Sequence, residues 1–287
     1  MLKKKLIGLA FAIKQVGIAS GGKAPQLSFF QPLTTRKISN SNCEKVAKSV
    51  PFGSKGDAMT SSENGNGTNK VQIQINIISD TMCPWCWVGK RNMEAALQLA
   101  PYIDAKVEWW PFFLDKNLSE DGKPVRDYYR DNYGNPSVGE NMMPGLIAAG
   151  RRVGLDFETT FSKLAIYRPT IKSHRLIEYA KRQGKQNEMV EALFRMYYVE
   201  GKHLNSVEHL VETAEVVGLS GVKDYLESNE DENSVYEHAA HVKGTANGVP
   251  TFLFTRSDQP NSRPISFSGG QPTEAFLEVF EHLSEVS

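Results

Sequence analysis

The stretch SDTMCPWCWVGKRNMEAAL (residues 79–97) decides the fold, because it places two cysteines, three positions apart, between two different periodic patterns. The preceding residues, 71–78, read VQIQINII and alternate apolar with polar side chains, which is the period of a β-strand. The apolar residues that follow share one face of a helix that ends at Pro101; they are Val88, Met93, Ala96, Leu97 and Ala100. Cys83 is therefore predicted to lie where a strand ends and a helix begins.

The remaining patterns predict a mixed α/β chain. Residues 105–114, AKVEWWPFFL, are rich in β-branched and aromatic side chains and predict a second strand, which completes a βαβ unit with parallel strands. Residues 115–240 show mainly helical periods. Residues 249–255 (VPTFLFT) and 264–270 (PISFSGG) predict a hairpin, and residues 273–283 predict a final helix. The predicted order is therefore βαβ, a long helical insertion, and ββα.

The charge of the chain is unevenly distributed. The 287 residues include 33 basic and 33 acidic side chains, and 40% are hydrophobic. Residues 1–70 contain 11 Lys and Arg but 3 Asp and Glu, which leaves 22 basic and 30 acidic residues for the remainder. The balanced total shows no basic bias, so no nucleic-acid partner is expected. No apolar run approaches the ~20 residues of a membrane-spanning helix, so no membrane partner is expected either.

Residues 1–70 are predicted to be a targeting peptide followed by a disordered linker. The first acidic residue is Glu44, and the basic, hydroxyl-containing segment before it is typical of import into a mitochondrion or plastid. Residues 51–70, PFGSKGDAMTSSENGNGTNK, are polar and glycine-rich, as in a flexible linker. An untargeted, cytoplasmic form that starts at Met59 is an alternative. A secreted form is less favoured, because Lys14 ends the apolar run LIGLAFAI early.

The two cysteines admit three interpretations, of which a redox dithiol is favoured. A helix N-terminus stabilises a thiolate, so Cys83 would be reactive there, and Cys86 follows one helical turn later. Pro84 suits the first helical turn, where a missing N–H costs nothing, and Trp85 adds no charge. A CxxC beside a βαβ pattern is a redox signal. A pair of core cysteines explains neither the spacing nor the location.

A zinc site is the second interpretation, and it requires two further ligands. Cys43 lies in the leader segment. His238 and His241 are three residues apart and would share a helix face. Zinc binding does not require a strand-to-helix junction or a proline between the cysteines, so no metal is expected.

Three segments resemble the DSBA-like thioredoxin superfamily and, within it, the FrnE-like branch of predicted disulfide oxidoreductases and polyketide-isomerase-like proteins. SDTMCPWCWVGKRNME resembles the signature S-D-x-x-C-P-W-C-[YW]-x-G-K, and SHRLIEYAKRQG around His174 resembles A-H-R-L-x-x-x-A. GVPTFLF and FSGGQPTEAF resemble G-V-P-x-F and S-G-A-Q-P. The resemblance covers about residues 72–285. It implies a thioredoxin fold from residues 71–114 and 241–287, with residues 115–240 as an inserted helical domain.

The resemblance also implies roles for the site residues. Cys83 would be the attacking cysteine and Cys86 the resolving one. Pro250 would be a cis-proline that faces them, which would turn the backbone of Val249 toward a substrate peptide or glutathione. The alternative for Pro250 is an ordinary trans proline that opens a strand. Pro84 and Trp85 would support the dithiol.

Two further segments are weaker candidates. SGGQP would close one side of the substrate groove through Gly270 and Gln271, although its glycines are equally explained by a turn. His174 would carry protons or contact substrate, and the alternative is a packed, hydrogen-bonded core histidine. The chain has Pro169 and Ser173 where the family has asparagine and alanine, so the substrate contact of the family's asparagine has no equivalent.

The expected function is thiol–disulfide exchange on protein or glutathione disulfides, with Cys83 and Cys86 cycling between dithiol and disulfide. The alternative is a glutathione-dependent isomerase or transferase on the same fold, in which glutathione supplies the thiol. Relatives of that kind generally carry serine at the first motif position, so the two cysteines favour redox chemistry. No cofactor is expected other than glutathione as a co-substrate.

Overall fold

The computed structural model describes residues 70–160, 166–246 and 248–285. The predicted targeting peptide, Cys43 and Met59 therefore lie outside the described residues, as does the linker up to residue 69. No described helix is both long enough and apolar enough to cross a membrane.

The described chain begins and ends with the predicted strand and helix units. The first unit consists of β1 (Val71–Ser79), α1 (Pro84–Leu99) and β2 (Ile103–Pro111). The insertion contains β3 (Lys123–Pro124), α2 (Val125–Tyr133), α3 (Val138–Arg152), α4 (Phe157–Thr160), β4 (Ile166–Tyr167), α5 (Ile171–Arg182), α6 (Gln186–Tyr198), α7 (Val207–Val217), α8 (Val222–Glu227) and α9 (Glu232–Val242). The last unit consists of β5 (Thr251–Arg256), β6 (Ile265–Ser268) and α10 (Thr273–Glu285).

Four strands form the main sheet in the order β2-β1-β5-β6. β1 pairs with β2 in parallel and with β5 antiparallel, and β5 pairs antiparallel with β6. The βαβ and ββα units predicted from periodicity are confirmed, and the chain has the mixed α/β thioredoxin fold. The division into a thioredoxin-like domain and an inserted domain stays a prediction.

β1 is the central element of this sheet. Ile73, Ile75 and Ile77 are buried on one face, as the alternation predicts. Ile78 points to the other face and is also buried, in a small cluster with Val242 of α9 and other apolar residues. The C-terminal end of β1 is therefore covered on both faces, and the chain leaves it directly for the two cysteines.

The helical prediction for residues 115–240 was incomplete. Helices form most of this segment, and one side of α6 is buried, including Met189, Leu193 and Met196. The segment also contains a short antiparallel pair, in which Lys123 of β3 lies opposite Tyr167 of β4. Two-residue strands have no readable period, so pattern analysis missed them.

Candidate active site

Cys83 lies at the N-terminus of α1, as predicted. It is the N-cap residue, with extended backbone angles, and Pro84 begins the helix. The backbone N–H of Cys83 donates to the Asp80 carbonyl at 3.0 Å, and that of Cys86 donates to the Cys83 carbonyl at 3.1 Å. The first turn of α1, which is fully described, contains no acidic side chain. The thiol therefore lies at the positive end of a helix dipole.

Cys86 differs from Cys83 in exposure and electrostatics. Both are free thiols. Cys83 is 5% exposed and Cys86 is fully buried. Burial raises the pKa of Cys86 well above its ordinary value, and the hydrogen bond to Cys83 raises it further, whereas a hydrogen bond with the Ser79 side chain opposes the shift. Cys86 is therefore a protonated thiol that is shielded from solvent.

A cis-proline faces the dithiol. The bond between Val249 and Pro250 is cis, which confirms that expectation. The Cys83 thiol donates to the Val249 carbonyl, with 3.7 Å between sulfur and oxygen. A Cβ on Gly89 would lie 2.9 Å from the Phe252 ring and 3.3 Å from Pro250. The missing side chain at Gly89 thus allows α1 to lie close to the proline.

The SGGQP segment contacts Trp85 and Pro250. Gly269 has a φ of +89°, and its N–H donates to the Pro250 carbonyl at 2.7 Å. A Cβ on Gly270 would lie 2.9 Å from the Trp85 ring. Gln271 donates its side-chain amide to the Ser268 carbonyl at 2.9 Å. These contacts form a turn. Neither Gly270 nor Gln271 is among the described residues that line the groove beside Cys83.

The groove beside Cys83 has a volume of about 580 Å³. Cys83, Pro84, Trp85 and Val249 form one wall. The insertion forms the other walls with aromatic and apolar side chains, which include Tyr128, Tyr129, Tyr133, Met142, Met143 and Tyr167. Burial raises the pKa values of Tyr129 and Tyr133, so both phenols are neutral at neutral pH. Residues around the two cysteines and residues of the insertion therefore both line the groove.

The charge of the groove is low. Among its described lining residues the one cation is Arg126, and its guanidinium is paired with Glu140 at 2.6 Å. Sequence reasoning missed the tyrosines that surround this groove. Residues 125–134, VRDYYRDNYG, show a tyrosine cluster, but no spacing rule connects that cluster with the cysteines.

His174 lies behind the dithiol rather than in the groove. It is 4% exposed, and its Nε2 lies 3.4 Å from Oδ1 of Asp80. The Asp80 carboxylate is buried and accepts hydrogen bonds from the backbone N–H groups of Met82 at 3.3 Å and Leu114 at 2.8 Å. Phe113 packs edge-on against the imidazole at 5.0 Å between ring centroids. The contacts thus place His174 in the core beside a carboxylate.

A buried ionic cluster anchors α1 to α6. Lys90 is 2% exposed and its ammonium lies 2.5 Å from Glu94 and 3.1 Å from Glu191. Arg91 pairs with the same Glu191 carboxylate, and the Trp87 indole donates to it at 3.1 Å. Burial raises the pKa of Glu191, but Lys90 and Arg91 outweigh this effect and hold the pKa below its ordinary value. The cluster fixes the helix that carries both cysteines.

The zinc interpretation finds no ligand set in the described part of the chain. No group of three or more His, Cys, Asp and Glu side chains there is placed to hold a metal ion. His238 lies on α9 and packs against Trp110, with 5.4 Å between ring centroids.

Comparisons with known proteins agree with this geometry. The protein YwbO of Bacillus subtilis (strain 168), which is uncharacterized, is 27% identical over 187 residues, or 64% of this chain and 87% of that protein. The crystal structure of a probable DsbA oxidoreductase, SCO1869 from Streptomyces coelicolor, superposes with a TM-score of 0.65 at 27% identity and covers 75% of this chain and 91% of that one. A 2-hydroxychromene-2-carboxylate isomerase superposes with a TM-score of 0.55 at 12% identity over 74% of this chain and 96% of its own, which shows a shared fold alone.

The family match covers most of the described residues. The DSBA-like thioredoxin domain matches residues 74–281. The narrower assignment to the FrnE-like branch stays a prediction. The matched residues include the CPWC motif, the cis-proline and the insertion that lines the groove, and the chain therefore belongs to the DSBA-like thioredoxin family of thiol oxidoreductases.

Proposed function

We propose that this protein is a thiol–disulfide oxidoreductase that uses the Cys83–Cys86 dithiol on protein or peptide disulfides. The observation that carries the proposal is the pairing of two unlike thiols on one helix turn. Cys83 lies at the helix N-terminus beside the Val249 carbonyl, and Cys86 is buried one turn further on. A nucleophile that lines the groove and a protected resolving thiol are what two-step disulfide exchange requires.

The exchange proceeds in two balanced steps. The Cys83 thiolate attacks one sulfur of the substrate disulfide, a mixed disulfide forms, and the other substrate sulfur leaves as a thiolate that takes up a proton. Cys86 then loses its proton and attacks the Cys83 sulfur, which releases the second substrate thiol. The dithiol loses two electrons and the substrate disulfide gains them. The reverse sequence reduces the protein, and the surrounding redox poise decides the direction.

The groove supports a peptide substrate with apolar side chains next to its cysteine. The Val249 backbone lies at the Cys83 thiol, where an extended peptide can pair with it as an added strand. Tyrosine and methionine side chains then offer apolar surface to the neighbouring residues. Glutathione carries two carboxylates, and Arg126, the one cation of the described lining, is already paired with Glu140. Glutathione is therefore the weaker partner and serves as a co-substrate.

The second candidate function is a glutathione-dependent isomerase or transferase. The observation that favours it is the 580 Å³ groove, which is large enough and apolar enough for an aromatic small molecule. In such a reaction bound glutathione would supply the thiol and Cys86 would have no role. The presence of two thiols favours the redox function.

For the compartment, the basic leader supports import into a mitochondrion or plastid, with a cytoplasmic form from Met59 as the alternative. N-terminal sequencing of the natural protein distinguishes the two, because import predicts a processed N-terminus and internal initiation predicts one that begins at or directly after Met59.

The decisive experiment is a redox titration of the full chain in glutathione buffers, read out by thiol alkylation. All samples carry Cys43→Ser, so that the leader cysteine adds no label. A reversible two-electron couple that is absent in Cys83→Ser supports the oxidoreductase. A dithiol that never forms the Cys83–Cys86 disulfide, together with tight glutathione binding, would instead support the isomerase or transferase.

A further inference from the structure

Three buried residues, 80–82, connect β1 to the first cysteine, and side chains of the insertion hold two of them. Ser173 of α5 contacts the middle residue, Thr81. Tyr198, the last residue of α6, contacts the third, Met82. The two contacts join residues that are 92 and 116 positions apart in the chain. The segment directly before the nucleophile is therefore fixed by distant helices.

The peptide bond between Met82 and Cys83 is held at both ends. The Tyr198 phenol donates to the Met82 carbonyl at 2.7 Å, and the N–H of Cys83 donates to the Asp80 carbonyl at 3.0 Å. A peptide unit is planar, so hydrogen bonds to its C=O and its N–H together fix its rotation. The rotation of this unit sets the direction in which the Cys83 side chain leaves the backbone.

The Tyr198 side chain is itself firmly packed. Its ring is buried and stacks on Trp87 of α1, with 5.9 Å between ring centroids and 17° between ring planes. Phe157 packs edge-on against it at 5.7 Å. Burial raises the pKa of the Tyr198 phenol well above its ordinary value, so the hydroxyl stays a donor at neutral and mildly alkaline pH. The hydrogen bond to Met82 therefore persists while the Cys83 thiol ionises.

Ser173 supplies a second contact, and it stands where the family pattern A-H-R-L has alanine. Its hydroxyl donates to the Thr170 carbonyl at 2.8 Å. A serine hydroxyl has one proton, so the Thr81 hydroxyl is the donor of the 2.7 Å bond between the two side chains. Both side chains are buried. The alanine of the family pattern could not accept this hydrogen bond.

We propose that Tyr198 and Ser173 are positioning residues for Cys83, which hold the segment before it so that its sulfur points along the disulfide bond of a bound substrate. The role rests on the proposed dithiol function and adds the groups that align its first step. In that step the Cys83 thiolate forms a bond to one substrate sulfur. The substrate disulfide breaks with its electron pair on the other sulfur, which takes up a proton.

Alignment matters because attack on a disulfide is directional. The Cys83 sulfur must approach along the axis of the S–S bond while the groove holds the peptide. Neither Tyr198 nor Ser173 is among the described residues that line the groove, so loss of either hydroxyl should leave peptide binding unchanged. The positioning role therefore predicts an effect on the rate of the step and none on the affinity.

The test is a single-turnover reaction of the reduced full chain, in a Cys43→Ser background, with excess peptide disulfide that carries aromatic flanking residues. Samples are quenched with acid, alkylated and analysed by mass spectrometry. Saturation with peptide separates the limiting rate from the half-saturating concentration. We expect Tyr198→Phe, which removes only the hydroxyl, to lower the limiting rate by about 10-fold and to leave the half-saturating concentration unchanged.

Two other buried tyrosines are matched controls. Tyr197→Phe removes a neighbouring hydroxyl that has no hydrogen-bond partner among the described residues, and it should match the parent protein. Tyr225→Phe removes a phenol that donates to the Arg175 carbonyl at 2.9 Å. Tyr225 lies on α8, which contributes no residue to the described groove lining. This variant should lose stability in urea, as Tyr198→Phe does, but keep the limiting rate of the parent.

Alkylation of Cys83 by iodoacetamide across the pH range separates alignment from acidity. The reagent requires the thiolate but no disulfide axis. We expect Tyr198→Phe and the parent protein to show the same pH midpoint and the same plateau rate.

Ser173→Ala introduces the alanine of the family pattern, and it keeps the test valid should Tyr198→Phe fail to fold. We expect its limiting rate to fall by about 3-fold, because its contact lies one residue further from Cys83. The half-saturating concentration should again match that of the parent protein.

Unchanged limiting rates in Tyr198→Phe and Ser173→Ala would overturn the positioning role and leave the dithiol function intact. A fall that Tyr225→Phe shares would also overturn it, because loss of stability would then be the cause. So would a fall that a slower iodoacetamide reaction fully accounts for, since the cause would be loss of thiolate. A parent protein that forms no Cys83–Cys86 disulfide with the peptide would overturn the dithiol function, and the positioning role with it.

Discussion

The two sides of the dithiol differ in the size of the cavity and in the side chains that line it. In front of Cys83, the groove is wide and is surrounded by tyrosine and methionine side chains. The cavity on the other side is small, and its wall mixes apolar side chains such as Trp109, Ile177 and Phe194 with polar ones such as Ser79, His174 and Lys181. One helix turn separates the two thiols, so the wide groove lies at one thiol and the packed interior at the other.

The different surroundings of Cys83 and Cys86 give two identical side chains different properties. Cys83 needs a helix N-terminus and access to substrate, and the junction of β1 with α1 supplies both. Cys86 is fully buried and burial raises its pKa, so it stays protonated and is protected from other thiols. The insertion forms most of the front wall, so substrate choice can change without a change in the dithiol.

Cys86→Ser, made in the Cys43→Ser background so that the leader cysteine forms no adduct, tests the comparison with the largest expected effect. The front of the site is unaltered, so Cys83 should still attack a disulfide, but the mixed disulfide should persist because no resolving thiol follows. Turnover should fall below detection, while intact mass spectrometry shows one substrate thiol on each chain. Cys83→Ser is the control and should form no adduct. Normal turnover of Cys86→Ser would contradict the division of tasks.

Glu191→Gln tests whether the ionic cluster that fixes α1 acts on stability rather than on the thiols. Lys90 is nearly fully buried and would keep Glu94 as its partner in this variant. We therefore expect the free energy of unfolding to fall by about 2 kcal/mol. That is less than the 3–5 kcal/mol lost when a buried ion pair is broken completely. Urea unfolding measures it. Glu278→Gln, at an exposed site on α10, should change stability by less than about 0.5 kcal/mol.

The same variant gives a pH prediction. The pKa of Glu191 is held below its ordinary value of 4.5 in the folded protein, so its stabilisation is present above that value and is lost as pH falls through the folded-state pKa. The stability difference between parent and Glu191→Gln should therefore be constant near neutral pH and shrink in acid. A difference that grows as the pH falls would contradict the ionic account.

Tyr133→Ala tests the front wall. The side chain is 44% exposed, so the fold should tolerate its loss. Removal of its apolar surface should raise KM for a peptide disulfide with aromatic flanking residues by about 10-fold, equal to about 1.4 kcal/mol, and leave kcat unchanged. Steady-state kinetics with glutathione disulfide should show little change. Tyr102→Ala is the matched control, since Tyr102 is 39% exposed and is absent from the described groove lining.

Sequence patterns predicted the parts of the molecule that local rules govern. The alternation of residues 71–78, the CPWC motif after them and the glycine and proline around residue 250 each act within a few neighbouring residues. The βαβ and ββα units and the place of Cys83 could therefore be inferred. The groove depends on the insertion, in which α3 packs against α1 some 50 positions earlier. No period in VRDYYRDNYG predicts that its tyrosines line the same groove as Cys83.

The burial of two charged side chains could not be predicted from sequence patterns either. Lys90 occupies a helix position at which a lysine usually faces water, and its partner Glu191 lies 101 positions away. Arg175, which follows His174 in the SHRL segment, is buried and donates to the carbonyls of Tyr225 and Ser228 near the end of α8 at 2.7 and 2.8 Å. Pattern analysis assigns such residues to the surface, because their partners are set by tertiary packing.

The close approach of α1 to β5 sets Pro250 opposite Cys83, and two glycine variants test what that approach depends on. Alanine in place of a helical glycine normally stabilises by about 1 kcal/mol, and Gly145→Ala in α3 should do so, since no described atom lies within 4 Å of the new Cβ. Gly89→Ala gains the same helix propensity but places its Cβ 2.9 Å from the buried Phe252 ring.

Overpacking of that kind costs about 1–3 kcal/mol, so Gly89→Ala should be destabilised by up to about 2 kcal/mol where Gly145→Ala is stabilised. Urea unfolding of both variants measures the change in the free energy of unfolding. The sign of that change in each variant is the result that tests the prediction. Equal stabilisation would mean that Phe252 yields freely, and the position of Pro250 would then not depend on the missing side chain at Gly89. Opposite signs would show that the glycine is required for the contact between helix and strand on which the front of the site depends.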